Sequence, residues 1–238
     1  MKRILSVLGL LTITMVLAGV ASVVAADIDI APSQTEPAGQ TYGRWAAEWW
    51  QWALGVPAAE NPLTDTTGQF CDQRQVGDVW FLAGASGPAP IDRSCEVPAG
   101  KSLFFPLINN VYGAFLNDQP ATRTEEYVRD AARCTQPARI SLRIDLSNIP
   151  KALLTFTGAS GSQSPIFNVQ LPPGNVFGLD ETVAHELVLS PSAEQGYYVF
   201  LYPLRPGHHT IKWTASGCTP GSSQDITYHL NVVGGPHH

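Results

Sequence analysis

His208 and His229 are the two residues whose types and spacing most directly suggest chemistry. His208 is in phase with Lys212 in one predicted strand, and His229 occupies a polar position of the last predicted strand. If these strands form an antiparallel hairpin, both imidazoles face the same polar surface. Neutral imidazoles are ligands for Zn²⁺ or Cu²⁺, but Lys212 on that face would repel a cation. We therefore predict a ligand-binding role for the pair, with no metal and no other cofactor.

Four tryptophans lie close together in the sequence, and three of them share one side of a predicted helix. Trp45, Trp49 and Trp52 recur at steps of three and four residues, which is the period of one helical face. Because each buried Trp removes about 200 Å² from water, we predict that this stripe packs against the core. An aromatic platform that stacks on sugar rings is the alternative. Trp50 lies beside the stripe and is predicted to face a groove or a partner.

The sequence contains none of the common catalytic or nucleotide-binding motifs. It has no Gly-x-Ser-x-Gly turn, no His-Glu-x-x-His pair and no glycine-rich phosphate loop. Glycoside hydrolysis needs two facing carboxylates, whereas Glu125–Glu126 and Asp180–Glu181 are sequence neighbours whose side chains diverge. His185 occupies an apolar position of its predicted strand, which is typical of a core histidine. The sequence therefore favours a protein without catalytic activity.

Cys71, Cys95, Cys134 and Cys218 are the four cysteines of the chain. An even number of cysteines in an exported chain indicates two disulfides, and three pairings are possible. We favour Cys71–Cys95 with Cys134–Cys218, because the first pair brackets the predicted strand Asp78–Gly84. A zinc knuckle is disfavoured, since no two cysteines have the Cys-x-x-Cys spacing.

Residues 1–26 have the pattern of a signal peptide. Lys2 and Arg3 precede the apolar run Ile4–Val20, and Val24–Ala26 offers small residues at a cleavage site before Asp27. Cleavage there predicts a secreted or periplasmic protein with no stable membrane span, whose residues 27–238 form a single disulfide-bonded domain. An uncleaved anchor is the alternative.

The net charge of the chain is −6, and removal of the signal peptide would take away two basic residues and no acidic ones. Such a chain repels phosphate backbones and anionic lipids, so we predict no nucleic-acid partner. The function favoured by charge and motifs together is an exported, non-catalytic binding or surface-associated protein, with a glycan or a protein as partner. The alternatives are an extracellular hydrolase with its acid and base on separate strands, and a structural assembly subunit.

The predicted fold is mainly β, an antiparallel β-sandwich of jelly-roll or immunoglobulin-like type with a packed N-terminal Trp-rich helix and one further short helix. The first helix spans Thr41–Gly55 and the second Thr122–Cys134, where Thr122 and Glu125 form a capping box. Short apolar runs separated by turns about every 8–12 residues are typical of a sandwich. The predicted strands are Asp78–Gly84, Ser102–Ile108, Ile140–Leu146, Leu153–Thr157, Ile166–Leu171, Val183–Leu189, Tyr197–Leu204, His208–Thr214 and Ile226–Val233.

Several segments are distinctive in the order in which they occur. They are the Trp-rich run Tyr42–Ala53, the pair Asn61–Pro62, the strand Val79–Gly84, the run Cys95–Asn109 that contains Val-Pro-Ala-Gly-Lys, and Tyr197–His208. Together they resemble a family of exported prokaryotic proteins that has no assigned activity. The resemblance implies export and a shared fold, and it carries over no catalytic or binding residue.

Overall fold

The computed structural model describes residues 28–86, 90–159, 161–179, 182 and 187–234. The predicted signal peptide, residues 1–26, and the predicted core histidine His185 lie outside the described residues. The helices and strands are α1 (Tyr42–Gly55), α2 (Glu125–Ala131), β1 (Val79–Phe81), β2 (Ile91–Pro98), β3 (Ser102–Phe115), β4 (Gln136–Ile144), β5 (Ser147–Ile149), β6 (Thr155–Phe156), β7 (Phe167–Gln170), β8 (Val188–Leu201), β9 (Gly207–Cys218) and β10 (Ser223–Val233).

Two five-stranded sheets face each other. Sheet A has the order β1-β3-β8-β6, with β7 also paired to β8, and sheet B has the order β2-β10-β9-β4-β5. Most pairs are antiparallel, whereas β1 with β3 and β2 with β10 are parallel. The predicted β-sandwich with its helices is confirmed, and the two parallel pairs are a feature that sequence periodicity does not show.

The core between the sheets is built from the alternation of side chains along each strand. Phe105 of β3 meets Trp213 of β9 with ring centroids 5.3 Å apart, and both are fully buried. Because a strand directs every second side chain to the same face, the remaining side chains of sheet A point away from this core. That outer face carries a second apolar layer, which α1 covers.

Helix α1 packs on the outer face of sheet A through its tryptophan stripe. Thr41 caps its first turn, since the Thr41 hydroxyl accepts a hydrogen bond from the backbone N–H of Arg44 at 3.3 Å. Trp45, Trp49 and Trp52 are all buried, and each indole N–H donates to a backbone carbonyl of a neighbouring segment. The prediction that the stripe belongs to the core is confirmed.

Helix α2 is shorter than predicted. Thr124, and not Thr122, caps it by accepting a hydrogen bond from the backbone N–H of Tyr127 at 3.2 Å. The turn Pro120–Thr122 forms a separate 3₁₀ helix, because Pro120 fixes its first residue in a helical conformation. The predicted capping box at Thr122 is therefore wrong. No helix in the described ranges combines the length and apolar character needed to cross a bilayer.

Both favoured disulfides are present. Cys71–Cys95 joins the loop before β1 to strand β2, and Cys134–Cys218 joins the segment after α2 to the end of β9. The bonded cysteines are separated by 24 residues in the first disulfide and by 84 residues in the second. The longer bond ties a helix on sheet A to a strand of sheet B, so it constrains the two layers relative to each other.

Pro106 lies inside β3, and a proline within a strand is typical of an edge strand or a bulge. Strand β1 pairs only with residues 102–104 of β3, so at Pro106 the strand has its partner on one side only, β8. The register with β8 shifts between Pro106 and Ile108. A bulge at this point accommodates the N–H group that proline lacks.

Candidate functional site

A cleft of about 790 Å³ opens beside the C-terminal half of α1. It is bordered by that helix, by the part of β3 that follows the bulge, by the loop between β7 and β8, and by the turn that leads into β10. Its volume is in the range of small-molecule sites. Its lining includes Trp49, Trp50, Asn109, Phe177, Ser222 and Gln224.

None of the described residues that line the cleft carries a charged side chain. The lining combines indole and phenyl rings with hydroxyl and amide groups. An ion placed in such a site would lose hydration without gaining a countercharge, which is unfavourable. The site is therefore suited to an uncharged molecule.

Phe177 is the exposed aromatic residue of the cleft. Its side chain is 53% exposed, and the loop that presents it is held by Asn175, which is buried. The Asn175 side-chain oxygen accepts hydrogen bonds from the backbone N–H groups of Phe177 and Leu179, at 3.1 and 3.2 Å. This is an Asx-type turn, and it fixes the backbone on both sides of the phenyl ring. Phe177 was not among the residues predicted from the sequence.

Gln224 fixes the opposite wall. Its side-chain oxygen accepts a hydrogen bond from the backbone N–H of Ala85 at 2.9 Å, and its amide donates to the Ala85 carbonyl at 3.0 Å. This pair of bonds holds the loop that follows β1 against the start of β10. A Cβ at Gly84 would lie 3.0 Å from the Gln224 side-chain oxygen, so glycine suits the close approach.

Trp50, predicted to face a groove or a partner, lines the cleft while remaining 9% exposed. Its ring meets that of Trp49 edge to face at 4.9 Å, so the two indoles form one rigid wall. The stripe of Trp45, Trp49 and Trp52 is core, and the exposed aromatic surface at this site belongs to Phe177 instead. Binding of a ligand by Trp50 stays a prediction.

A chain of hydrogen bonds leads from the floor of the cleft into the protein. The Asn109 side-chain N–H donates to the Tyr198 hydroxyl at 3.0 Å, and that hydroxyl donates to Oε2 of Glu194 at 2.7 Å. The hydroxyl of Thr157 donates to the same carboxyl oxygen at 3.2 Å. Glu194 is 2% exposed. Asn109 therefore connects the cleft to a buried acid.

Gly196 makes the position of Asn109 possible. Gly196 of β8 pairs with Asn109 of β3, and a Cβ at Gly196 would lie 2.4 Å from the Cβ of Asn109. Any other residue at this position would push the two strands apart or displace the Asn109 side chain. Gly196 therefore leaves the space in which the Asn109 side-chain amide lies at the floor of the cleft.

Burial raises the pKa of the Glu194 carboxyl to about 7, although hydrogen bonds from Tyr198 and Thr157 and the positive charge of Arg129 act in the opposite direction. Burial and the neighbouring Glu194 also raise the pKa of Tyr198 well above its ordinary value. The indole N–H of Trp50 faces the Tyr198 hydroxyl and lowers its pKa, without forming a hydrogen bond of standard geometry. The acid beneath the cleft consequently changes its protonation near neutral pH.

Glu194 was not predicted from the sequence, because the predicted strand begins only at Tyr197. The alternation that places Tyr198 and Phe200 on one face of β8 also includes residue 194, so extending the strand backwards would have found a carboxyl in a buried position. Asn109 was likewise not identified. Its position depends on the bulge after Pro106, which the sequence indicates only as an irregularity.

His208 and His229 lie on the outer face of sheet B, away from the cleft. Strands β9 and β10 form the expected antiparallel pair, with His208 opposite Asn231 and His229 opposite Thr210, so the imidazoles are diagonal neighbours. Nε2 of His229 lies 3.2 Å from a carboxylate oxygen of Asp92. Over the ranges that the structure describes, no three His, Cys, Asp or Glu side chains are grouped to hold a metal ion. The ligand-binding role of the pair stays a prediction.

A comparison with models of protein families found no match for this chain, and searches of the curated proteins and of the solved structures found no significantly similar protein. The resemblance to a family of exported prokaryotic proteins therefore stays a prediction from the sequence segments alone.

Proposed function

We propose that this is an exported, non-catalytic binding protein whose cleft holds a neutral saccharide portion of a glycan. Export is supported by the signal-peptide pattern of residues 1–26 and by the two disulfides, which persist in oxidising compartments such as the periplasm or the extracellular medium. These observations agree both with secretion into the medium and with location in the periplasm.

The uncharged lining of the cleft is the observation that carries the proposal. It disfavours phosphorylated, sulfated and carboxylated ligands, since their charges would be desolvated without a partner. It also gives no support to the hydrolase alternative, because the described lining contains neither a pair of carboxylates nor a serine beside a histidine.

A saccharide has the surface that complements this lining. Sugar rings present C–H groups on their faces and hydroxyl groups at their edges. The exposed ring of Phe177 can pack against the C–H groups of a sugar face. Asn109 and Ser222 can form hydrogen bonds with the sugar hydroxyl groups. The sequence allows either a glycan or a protein as partner, and the concave, uncharged site favours the glycan.

The test is isothermal titration of the mature protein with neutral oligosaccharides and with sulfated or carboxylated oligosaccharides of the same length. We expect binding of a neutral compound and weaker binding of its charged counterparts. Phe177→Ala should reduce the affinity about tenfold, the equivalent of about 1.4 kcal/mol. Leu146→Ala is the matched control, because Leu146 is 85% exposed and lies outside the lining of the cleft. Preferential binding of the charged series, or equal affinities for the two variants, would contradict the proposal.

A further inference from the structure

We propose that the saccharide lies along an open edge of strand β3, where the backbone N–H and C=O groups of Asn109 and Val111 bind its hydroxyl groups. The cleft then selects glycans with free hydroxyl groups over glycans whose hydroxyl groups are methylated or acylated. This inference deepens the proposed function and rests on it, because it assigns the binding groups and the class of glycan for the same cleft.

The cleft begins where strand β1 leaves the edge of β3. Strand β1 pairs with β3 as far as Phe81, opposite Phe104, and the backbone N–H of Leu82 then donates to the Phe104 carbonyl at 3.1 Å. The chain next turns toward sheet B, where the backbone N–H of Ala83 donates to the Tyr228 hydroxyl. Among the described residues, no other strand pairs with β3 on the side that β1 has left.

The hydrogen bonds of Gly196 show which backbone groups of β3 point into this gap. Gly196 lies opposite Asn109, but its N–H donates to the Thr157 hydroxyl and its C=O accepts from the Thr157 N–H, on the far side of β8. Since the residues of an antiparallel pair alternate between facing each other and facing away, the N–H and C=O groups of Asn109 point away from β8. The same alternation directs the backbone groups of Val111, opposite Glu194, to the cleft side.

Asn109 and Val111 are half-buried residues of the cleft lining. Their outward backbone groups have no hydrogen-bond partner in the described ranges, whereas the open edges of sheets are ordinarily covered or paired. Each residue has one N–H and one C=O, so the edge offers donors and acceptors in alternation. A ligand that displaces water here must supply both acceptors and donors, because a backbone group left unpaired on burial costs free energy.

A sugar hydroxyl group meets this requirement, since a hydroxyl donates one hydrogen bond and accepts others. An ether or ester oxygen in its place only accepts. It can pair with the N–H groups of the edge, but it leaves the C=O groups of Asn109 and Val111 without donors. Free hydroxyl groups are therefore the chemistry that this edge selects.

A peptide that adds a strand to β3 would use the same backbone groups. Strands are usually about 3–10 residues long, whereas the outward N–H groups of β3 that line the cleft come from Asn109 and Val111 alone in the described lining. Pro106 lines the cleft before them and has no N–H, and the carbonyl of Phe104 is already paired. The short run of open groups favours a saccharide over a strand.

Amide hydrogen exchange of the ligand-free mature protein, followed by NMR, tests whether the edge is open. We expect the amides of Asn109 and Val111 to exchange about tenfold faster, or more, than those of Asn110 and Tyr112. The latter two face β8 and are the internal control. Equal protection of both pairs would overturn the inference before any ligand is added.

Titration with cellotriose, maltotriose and mannotriose tests the ligand, with calorimetry and amide resonances recorded on the same samples. We expect a trisaccharide that binds to shift the amide resonances of Asn109 and Val111 and to slow their exchange. Derivatives with single hydroxyl groups replaced by fluorine lose a donor without gaining bulk. Fluorination at a contacting position should weaken binding about tenfold.

Val111→Pro removes a donor from the open edge and none from the pairing of β3 with β8. We expect its affinity for the trisaccharide to fall about tenfold, while Asn110 and Tyr112 stay protected from exchange. If that protection is lost, β3 itself has been disrupted, and the wild-type titration decides.

The outcomes separate this inference from the proposed function. A trisaccharide that binds without shifting the amides of Asn109 and Val111, or whose fluorinated derivatives all retain full affinity, overturns the inference and leaves the proposed function standing. Binding of none of the neutral trisaccharides counts against both. If the uncharged peptide acetyl-Val-Thr-Val-Thr-Val-amide shifts these amides and no saccharide does, the edge serves strand addition and the inference is wrong.

Discussion

The hydroxyl of Tyr198 donates a 2.7 Å hydrogen bond to Glu194, four residues earlier in the same strand. Both side chains lie on the face of sheet A that α1 covers, where Tyr198 also stacks on Phe104 at 5.2 Å. A carboxyl group is thus enclosed within an aromatic layer, with a second oxygen that has no hydrogen-bond partner. Folding transfers this acid from water into surroundings that favour its neutral form.

The burial of Glu194 predicts that the protein loses stability as the pH rises toward neutrality. The pKa of Glu194 is about 7 in the folded protein, against 4.5 ordinarily, so between these values the folded state binds more protons than the unfolded state. The stabilising contribution of Glu194 to the free energy of unfolding is fully present below about pH 4.5. It is lost as the pH rises through about 7, and its total is roughly 3 kcal/mol. Urea denaturation at several pH values measures the slope.

Glu194→Gln should flatten that slope, because the amide does not titrate. Relative to the wild type, the variant should gain stability as the pH rises from about 5 to about 8. Glu60→Gln serves as the control for removal of a carboxyl from the surface, and its pH profile should follow the wild type. If the free energy of unfolding changed with pH in the same way in the wild type and in Glu194→Gln, the Glu194 carboxyl would not account for the pH dependence of stability.

The periodicity of the sequence predicts much of the fold, since repeated apolar positions reveal α1 and most strands directly. It fails for β2, because none of the predicted strands includes Ile91–Pro98. Ile91, Cys95 and Val97 of β2 point inward, but the fourth inward position is Arg93, and a charged residue there breaks the apolar alternation. That arginine donates hydrogen bonds to groups elsewhere in the chain, and a local pattern does not reveal such partners.

The candidate site is less predictable for the same reason. Trp50 was identified as a groove residue because it departs from a helical stripe, which is a local property. Asn109, Phe177 and Glu194 come together only when a bulge, an Asx-type turn and a strand pairing are in place. Each of these depends on contacts between distant parts of the chain, so residue spacing alone does not predict them.

Arg93 should be one of the most sensitive positions in sheet B. It is 1% exposed, and its guanidinium donates to the backbone carbonyls of Asp65, Ala83 and Gly84 and to the Tyr228 hydroxyl, all at 2.7–2.9 Å. Arg93→Met would remove the Arg93 donor from the buried carbonyls of Asp65 and Gly84, whereas the Ala83 carbonyl and the Tyr228 hydroxyl keep their hydrogen bonds to each other's residue. We expect a loss of about 3 kcal/mol or more in the free energy of unfolding, measured by chemical denaturation.

Arg139→Met is the matched control for Arg93→Met, because Arg139 is exposed on β4 of the same sheet. It should change the free energy of unfolding by less than about 0.5 kcal/mol. Arg93→Lys retains the charge but has a single ammonium in place of the planar guanidinium, so its loss should be intermediate. Equal stabilities for Arg93→Met and Arg139→Met would refute this structural role.

Trp49 tests the docking of α1. It is 1% exposed, and its indole N–H donates to the Leu82 carbonyl at 3.0 Å, which links the helix to the segment after β1. Trp49→Ala should cost about 3–5 kcal/mol through the cavity it creates. Trp49→Phe should cost less, since it fills more of the space and loses mainly the hydrogen bond. A melting temperature that does not change in Trp49→Ala would show that α1 is not docked.

The two disulfides should contribute unequally to stability. Loss of loop-closure entropy in the unfolded chain predicts about 3.5 kcal/mol for Cys71–Cys95 and about 4.5 kcal/mol for Cys134–Cys218, because their separations are 24 and 84 residues. Two double Cys→Ser variants, each lacking one disulfide, should therefore differ by roughly 1 kcal/mol in the free energy of unfolding measured by chemical denaturation. The variant that lacks Cys134–Cys218 should be the less stable one. Mass spectra of the exported protein before and after reduction supply the control, since each intact bond adds two hydrogens on reduction. A larger loss for the shorter loop would mean that native-state contacts at Cys71–Cys95, and not the unfolded chain, dominate its effect.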